Sequence, residues 1–146
     1  DDGKKDLLDV LLDMRNDEFT LPDIRGYLSD IFVAASDTTA VTIEWAMAEL
    51  IRNPEKLKGA QAELEEVVGL NRRMEESDTE HLPYLRAVVK EVFRLHPAGP
   101  LLVPHRANSD CEIGGFVIPK HSRVVVNVWG MGRDAQIWKE PLNFVP

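Results

Sequence analysis

Two groups of residues have types and spacings that could serve chemistry. The first is the run Asp37-Thr38-Thr39 inside the otherwise apolar stretch "FVAASDTTAVTIEW". Serine, threonine and aspartate compete with the backbone for hydrogen bonds, so their succession at the centre of a hydrophobic helix asks for a reason. A threonine hydroxyl at position 38 can bond back to the carbonyl of Ala34 and loosen the helical ladder. Ala34 and Ala35 keep the surface shallow, which lets a flat ligand approach the backbone. A solvated helix bend accounts for the same residues, and composition alone leaves both readings open. The second group is Glu91 and Arg94 in "KEVFRLHP". An exposed i, i+3 pair of this kind is ordinary and contributes about 0.2–0.5 kcal/mol. On a helical wheel both fall outside the Leu85-Val88-Val92 stripe, which favours the surface reading.

Other chemistries find no foothold. The 146 residues contain no glycine-rich phosphate loop, no Gly-x-Ser-x-Gly elbow and no paired cysteines. His81, His96, His105 and His121 are scattered without metal-ligand spacing. Cys111, the single cysteine, stands between Asp110 and Glu112, neighbours that disfavour a thiolate, so no metal ligand is expected in the chain. Seventeen basic against 25 acidic residues give a net charge of -8, which argues against a nucleic-acid partner. No apolar run approaches the ~20 residues needed to span a bilayer. Any membrane anchor is therefore expected outside this chain.

The elements that must position these groups follow from periodicity. "KKDLLDVLLDMRND" places Leu7, Leu8, Leu11 and Leu12 on one helical face. Thr20 can cap a second helix with Pro22 in its first turn and Asp23 at its third position. No strong breaker follows until Asn53-Pro54, so this helix should run about 32 residues, roughly 48 Å. Its Ile31 to Ala35 portion is apolar all around and is expected to be buried on every side. A third helix carries Leu57, Gln61, Leu64 and Val68 on one face and stops at Gly69. Ser77 and Glu80 have capping-box spacing for a short turn. "LPYLRAVVKEVFRLHP" is a fourth helix with Leu85, Val88, Val89 and Val92 on one face, ending before Pro97. Beyond it the texture turns extended. "CEIGGFVIP" reads as a hairpin turning at Gly114-Gly115, "SRVVVNVW" as a strand and "GRDAQIW" as a short helix. The fold class is mainly α with a small antiparallel β-sheet, an α+β arrangement with helices first.

Taken together the segments are recognisable. "AASDTT", "KEVFRLHP", "PLLVPHRA", the "GGFVIPK" hairpin, "VNVWGMGRD" and the closing Trp-x-x-Pro-x-x-Phe-x-Pro occur in that order and at natural spacing. In this the chain resembles the cytochrome P-450 haem-thiolate monooxygenases, and its wording is most similar to the plant microsomal terpenoid hydroxylases. The resemblance covers nearly the whole chain. It implies that residues 1–146 are an internal fragment of one catalytic domain, helical over 1–97 and β-rich with the start of the meander over 98–146.

The same resemblance assigns roles. Asp37 and Thr38 match the proton-delivery pair of the long helix that crosses the distal face of the haem. Thr39 completes the motif, and Ala35 stands where the family usually has glycine. A hydroxyl beside a carboxylate can donate to a bound ligand and be reloaded from water, so the polar interruption would be a helix defect tolerated for that purpose. Glu91 and Arg94 match the first two members of a Glu-x-x-Arg triad, and His105 with Arg106 lies where a haem propionate is met. Phe32, Val33 and Ala34, with Leu101, Leu102 and Val103, would face the substrate. The implied reaction is hydroxylation of a small apolar, terpenoid-type substrate with O2, haem and electrons from NADPH through a reductase. The implied location is the cytosolic face of the endoplasmic reticulum membrane, held by an N-terminal anchor.

Two expected features are missing. The family's ligand cysteine lies in a Phe-x-x-Gly-x-Arg-x-Cys-x-Gly loop that does not occur here, and the triad's third arginine is absent. The isolated chain is therefore expected to be inactive, with a frustrated charge cluster at Glu91 and Arg94. The competing reading is a non-catalytic acidic helical module that binds a partner protein.

Overall fold

The computed structural model describes residues 5–146. They form two compact units, up to Ala40 and from Val41 onward, and the boundary falls within one long helix.

In the first unit, helix α1 (Leu7–Asp13) is opened by a capping box in which the Asp6 and Asp9 carboxylates each accept the other's backbone N–H. Of its four expected apolar positions only Leu11 is buried. Helix α2 (Leu21–Arg52) has the 32 residues that the absence of breakers implies. At its start both the backbone N–H and the hydroxyl of Thr20 donate to Asp23 Oδ2, at 2.8 and 2.5 Å. The threonine hydroxyl bond, with the backbone bond beside it, holds the Asp23 carboxyl below its ordinary range. Two sequence expectations fail in this helix. Residues 31–35 are exposed, with Phe32 at 69% and Val33 at 72%. An all-round apolar surface signals that something must cover it, and the described residues supply no cover. The helix is also unbroken through Ser36-Asp37-Thr38-Thr39. One side-chain bond to a carbonyl is absorbed without opening the ladder.

In the second unit, α2 gives way at Asn53 to helix α3 (Pro54–Val67), with proline at its first position where a missing N–H costs nothing. The chain leaves α3 at Gly69, whose φ of +78° suits a residue without Cβ and whose N–H bonds to Leu64 O at 3.2 Å. A 3-10 turn spans Glu76–His81, and its capping box is Glu75 with Asp78 rather than Ser77 with Glu80. Asp78 is drawn there by Arg72, which makes two bonds to it at 2.7 and 2.8 Å.

Helix α4 (Pro83–Leu95) is the most strongly amphipathic element. Its buried residues are Val88, Glu91, Val92 and Leu95. The face is thus rotated from the expected one: Val89 lies on the exposed side and Glu91 on the inner side. Leu50, Val88, Val92, Leu95 and Phe144 form the core, with Ala46, Leu57 and Tyr84 packed against it.

The remaining chain is held in short pieces. Strand β1 (His105–Arg106) pairs antiparallel with β4 (Arg123–Val124), and β2 (Cys111–Ile113) with β3 (Phe116–Ile118). These are two separate two-stranded ribbons. The β2–β3 turn has φ of +59° and +83° at Gly114 and Gly115, the paired positive values a type I′ hairpin needs. The strand expected over 122–129 is cut to two residues, because Asn127 caps helix α5 (Val128–Met131) by accepting from Gly130 N–H at 2.9 Å. The short helix expected over 132–138 is instead a turn, in which Asp134 O accepts from Ile137 and Trp138.

Candidate functional site

In the first unit, Thr38 Oγ1 donates to Ala34 O at 2.7 Å, as its position in a helix suggests. Ala34, Ala35, Asp37, Thr38 and Thr39 are all exposed on α2, in the two turns that follow the uncovered Phe32 and Val33. A hydroxyl is donor and acceptor at once. With its one proton on Ala34 O, the Thr38 hydroxyl accepts on its outer face, and it donates outward only by releasing that carbonyl. Asp37, the next residue along the helix, is an exposed carboxylate.

In the second unit, Glu91 and Arg94 are joined side by side. Arg94 Nε donates to Glu91 Oε2 at 2.8 Å and Nη2 to Oε1 at 2.6 Å, the two-pronged geometry that guanidinium and carboxylate favour. Both side chains are nearly buried, at 8% and 11% exposed. Arg94 Nη1 also donates to Gly132 O (2.5 Å) and Pro141 O (2.7 Å), and Nη2 to Asn143 O (2.8 Å). All five N–H groups of the guanidinium are thereby used. Glu91 Oε1 accepts in addition from Val145 N–H at 2.9 Å. Burial pushes the Glu91 carboxyl up, but the Arg94 bonds, the Val145 N–H and the Arg94 charge outweigh it and leave it below the ordinary range.

This corrects two expectations. The pair is not surface decoration, and its cluster is not frustrated. Backbone carbonyls of the 132–143 segment fill the donors, and among the described residues no buried side-chain nitrogen or oxygen lacks a partner. The pair ties the 132–145 stretch to α4 at four backbone groups.

The other candidates are less gathered. His105 and Arg106 lie in β1 and are exposed, as are Leu101, Leu102 and Val103 before it. Leu102 adopts φ of +52°, a strained value for a residue with a Cβ. Cys111 is exposed in β2. Among the described residues no group of three or more His, Cys, Asp or Glu could hold a metal ion.

Some contacts that hold the second unit escaped the sequence reading because their partners are distant in sequence. Glu63 on α3 accepts the Tyr84 and Leu85 N–H groups at 2.7 and 2.8 Å, and so caps α4 from outside it. Glu49 accepts from His96, whose ring stacks on Trp45. Arg133 donates to Leu95 O at the C-terminus of α4.

Comparison with known proteins adds to the geometry. The family model described as Cytochrome P450 matches residues 1–146. The chain is 49% identical over 146 residues to Cytochrome P450 76T24 of Catharanthus roseus, covering 98% of this chain and 29% of that protein. It is 49% identical over 144 residues to Geraniol 8-hydroxylase of Swertia mussotii, covering 97% of this chain and 29% of that one. A solved zebrafish cytochrome P450 structure with progesterone superposes at a TM-score of 0.86 with 38% identity, covering 97% of this chain and 35% of that chain. The chain thus spans about 29% of the length of the curated relatives it matches.

Proposed function

Because the chain belongs to the cytochrome P450 family, we propose that it forms part of a haem-dependent monooxygenase that hydroxylates a small apolar substrate of terpenoid type. The whole enzyme would take electrons from NADPH through a reductase and use O2. It would sit on the cytosolic face of the endoplasmic reticulum, held by an anchor outside these residues. No helix among the described residues is long and apolar enough to cross a membrane. The name of the Swertia relative, a geraniol hydroxylase, supports the terpenoid class.

The residues present suit the surroundings of a haem and not its iron. His105 and Arg106 are exposed donors with no side-chain hydrogen bond among the described residues, suited to a propionate edge. The alanine pair Ala34-Ala35 leaves α2 shallow enough for a flat ring. The one thiol, on an exposed hairpin arm, has nothing around it to form a ligand pocket. Haem, when bound, supplies the oxygen activation.

The chain's own residues have distinct tasks in this scheme. Thr38, oriented by its bond to Ala34 O, accepts a hydrogen bond on its outer face and passes its own proton outward only on releasing that carbonyl. Asp37 reloads it from water. Phe32 and Val33, and separately Leu101, Leu102 and Val103, present apolar surface that binds the substrate and excludes water. Glu91 and Arg94 act as structure, fixing the 132–145 segment.

The observation that carries this reading is the Asp37-Thr38 pair beside an uncovered apolar surface on α2. The test is the full-length enzyme in microsomes with a plant reductase. It should give a thiolate-type carbon monoxide band and NADPH-dependent hydroxylation of monoterpene alcohols. A folded, haem-free protein without product would overturn the reading.

A further inference from the structure

At the end of α4 a charged group is buried where an apolar one would serve simple packing. Glu49 is 7% exposed, and its Oε1 lies 2.8 Å from His96 Nε2. The His96 ring lies flat against Trp45, with centroids 3.8 Å apart and planes 3° from parallel. Asn53 Nδ2 donates to Glu49 O at 2.8 Å and lies 3.4 Å from Oε2. A buried carboxylate is costly unless it is bonded, and apolar residues of similar volume stabilise as well or better. What such a cluster adds is a fixed direction for the ring it holds.

His96 is where that direction matters. It is the C-cap of α4, and its N–H still bonds to Val92 O at 2.7 Å. The chain then leaves the helix through Pro97 into a turn in which Leu102 N–H bonds to Gly99 O at 3.0 Å. In that turn Leu102 takes its positive φ. A strained residue persists only where its surroundings over-determine it. Downstream, the turn is held by Val126 N–H on Leu101 O and Trp129 N–H on Pro100 O, at 3.3 and 3.2 Å. Upstream, the first side chain fixed in place is that of His96.

We propose that Glu49, His96 and Trp45 are positioning residues for substrate specificity, setting the take-off of the 97–103 segment and with it the apolar surface of Leu101, Leu102 and Val103. The inference rests on the oxygenase reading above, because it takes that surface as the one the substrate meets. It touches neither the haem nor the proton path.

The experiment compares the full-length enzyme with His96→Leu, His96→Gln and Glu49→Gln, using geraniol as the probe. Haem content, the carbon monoxide band and the melting temperature are read beside kinetics and the ratio of hydroxylated regioisomers. In His96→Leu the regioisomer ratio changes and KM rises about tenfold, while kcat changes less than about twofold. His96→Gln, which keeps a donor, returns both toward the parent. A merely structural role would lower haem content and melting temperature and leave the ratio alone. An unchanged ratio in a haem-loaded His96→Leu overturns the proposal. If His96→Leu loads no haem, the near-isosteric Glu49→Gln carries the test: a ratio shifted the same way supports it, and the parent ratio overturns it. An unmutated enzyme that folds but binds no haem and gives no carbon monoxide band refutes the oxygenase reading and is thereby told apart.

Discussion

Gly132 lies against the backbone carbonyl of Arg94 so closely that a Cβ on it would stand 2.3 Å from the oxygen. Its own carbonyl accepts from the Arg94 guanidinium. Gly132→Ala should therefore push α5 and the following turn away from α4 and break that bond as well. Overpacking of this kind costs about 1–3 kcal/mol. The full-length variant should melt earlier and bind less haem, and a melting temperature equal to the parent's would show that the backbone gives way freely.

Glu91→Gln leaves Arg94 buried with a neutral partner and weakens the Val145 contact. Breaking a buried pair by removing one charge costs about 3–5 kcal/mol, against a few tenths for an exposed pair. Loss of haem incorporation is expected in the full-length protein. Normal haem content with normal melting would return the pair to surface status.

The same carboxylate gives a pH dependence of definite sign. Burial raises the Glu91 pKa, but Arg94 and the Val145 N–H lower it further, so the folded value lies below the unfolded one. Such a group contributes stability that is fully present above the ordinary carboxylate value and is lost as pH falls through the lower, folded one. Melting curves from pH 6 down to about 3 should fall more steeply for the parent than for Glu91→Gln. Parallel curves would mean that the group titrates alike in both states.

Thr38→Ala removes the hydroxyl that bonds Ala34 O and leaves the helix intact. In the full-length enzyme NADPH consumption should persist while hydroxylated product falls and hydrogen peroxide rises, because protons no longer arrive at the right place. Unchanged product per NADPH would take Thr38 out of the mechanism.

The 146 residues by themselves should hydroxylate nothing. Exposed Phe32, Val33, Phe93 and Trp129 favour self-association, visible as early elution on size-exclusion chromatography. With haem, reductant and carbon monoxide the chain should show no thiolate-type band. A band that vanished on Cys111→Ser would place the ligand on the hairpin after all.

What could be read from sequence was local. The bounds of α2 were legible from Thr20 and Asn53-Pro54, and the β2–β3 hairpin from Gly114-Gly115, because a breaker or a cap acts on its own neighbours. The Thr38 bond to Ala34 was legible for the same reason. The burial of Glu91 was not. It turns on carbonyls at 132, 141 and 143 that arrive from some forty to fifty residues away, and no helical wheel contains them. The exposure of Phe32 and Val33 was missed in the opposite sense, since composition reports what a surface needs and not what is there to meet it. The roles proposed for Asp37 and Thr38 rest on the order of motifs together with the uncovered apolar surface beside them, which only the structure displays.

The carboxylate of Glu63 fastens α3 directly to the Tyr84 and Leu85 N–H groups in the first turn of α4. The early part of the α3–α4 connection, before the buried Leu82, thus shares the work of holding the helices in register. Doubling the length of a flexible loop adds only about 0.6 kcal/mol of closure entropy. Leu70, 82% exposed just past the Gly69 stop, is a place where this scaffold should accept a grafted epitope or a fluorescent reporter without disturbing α4.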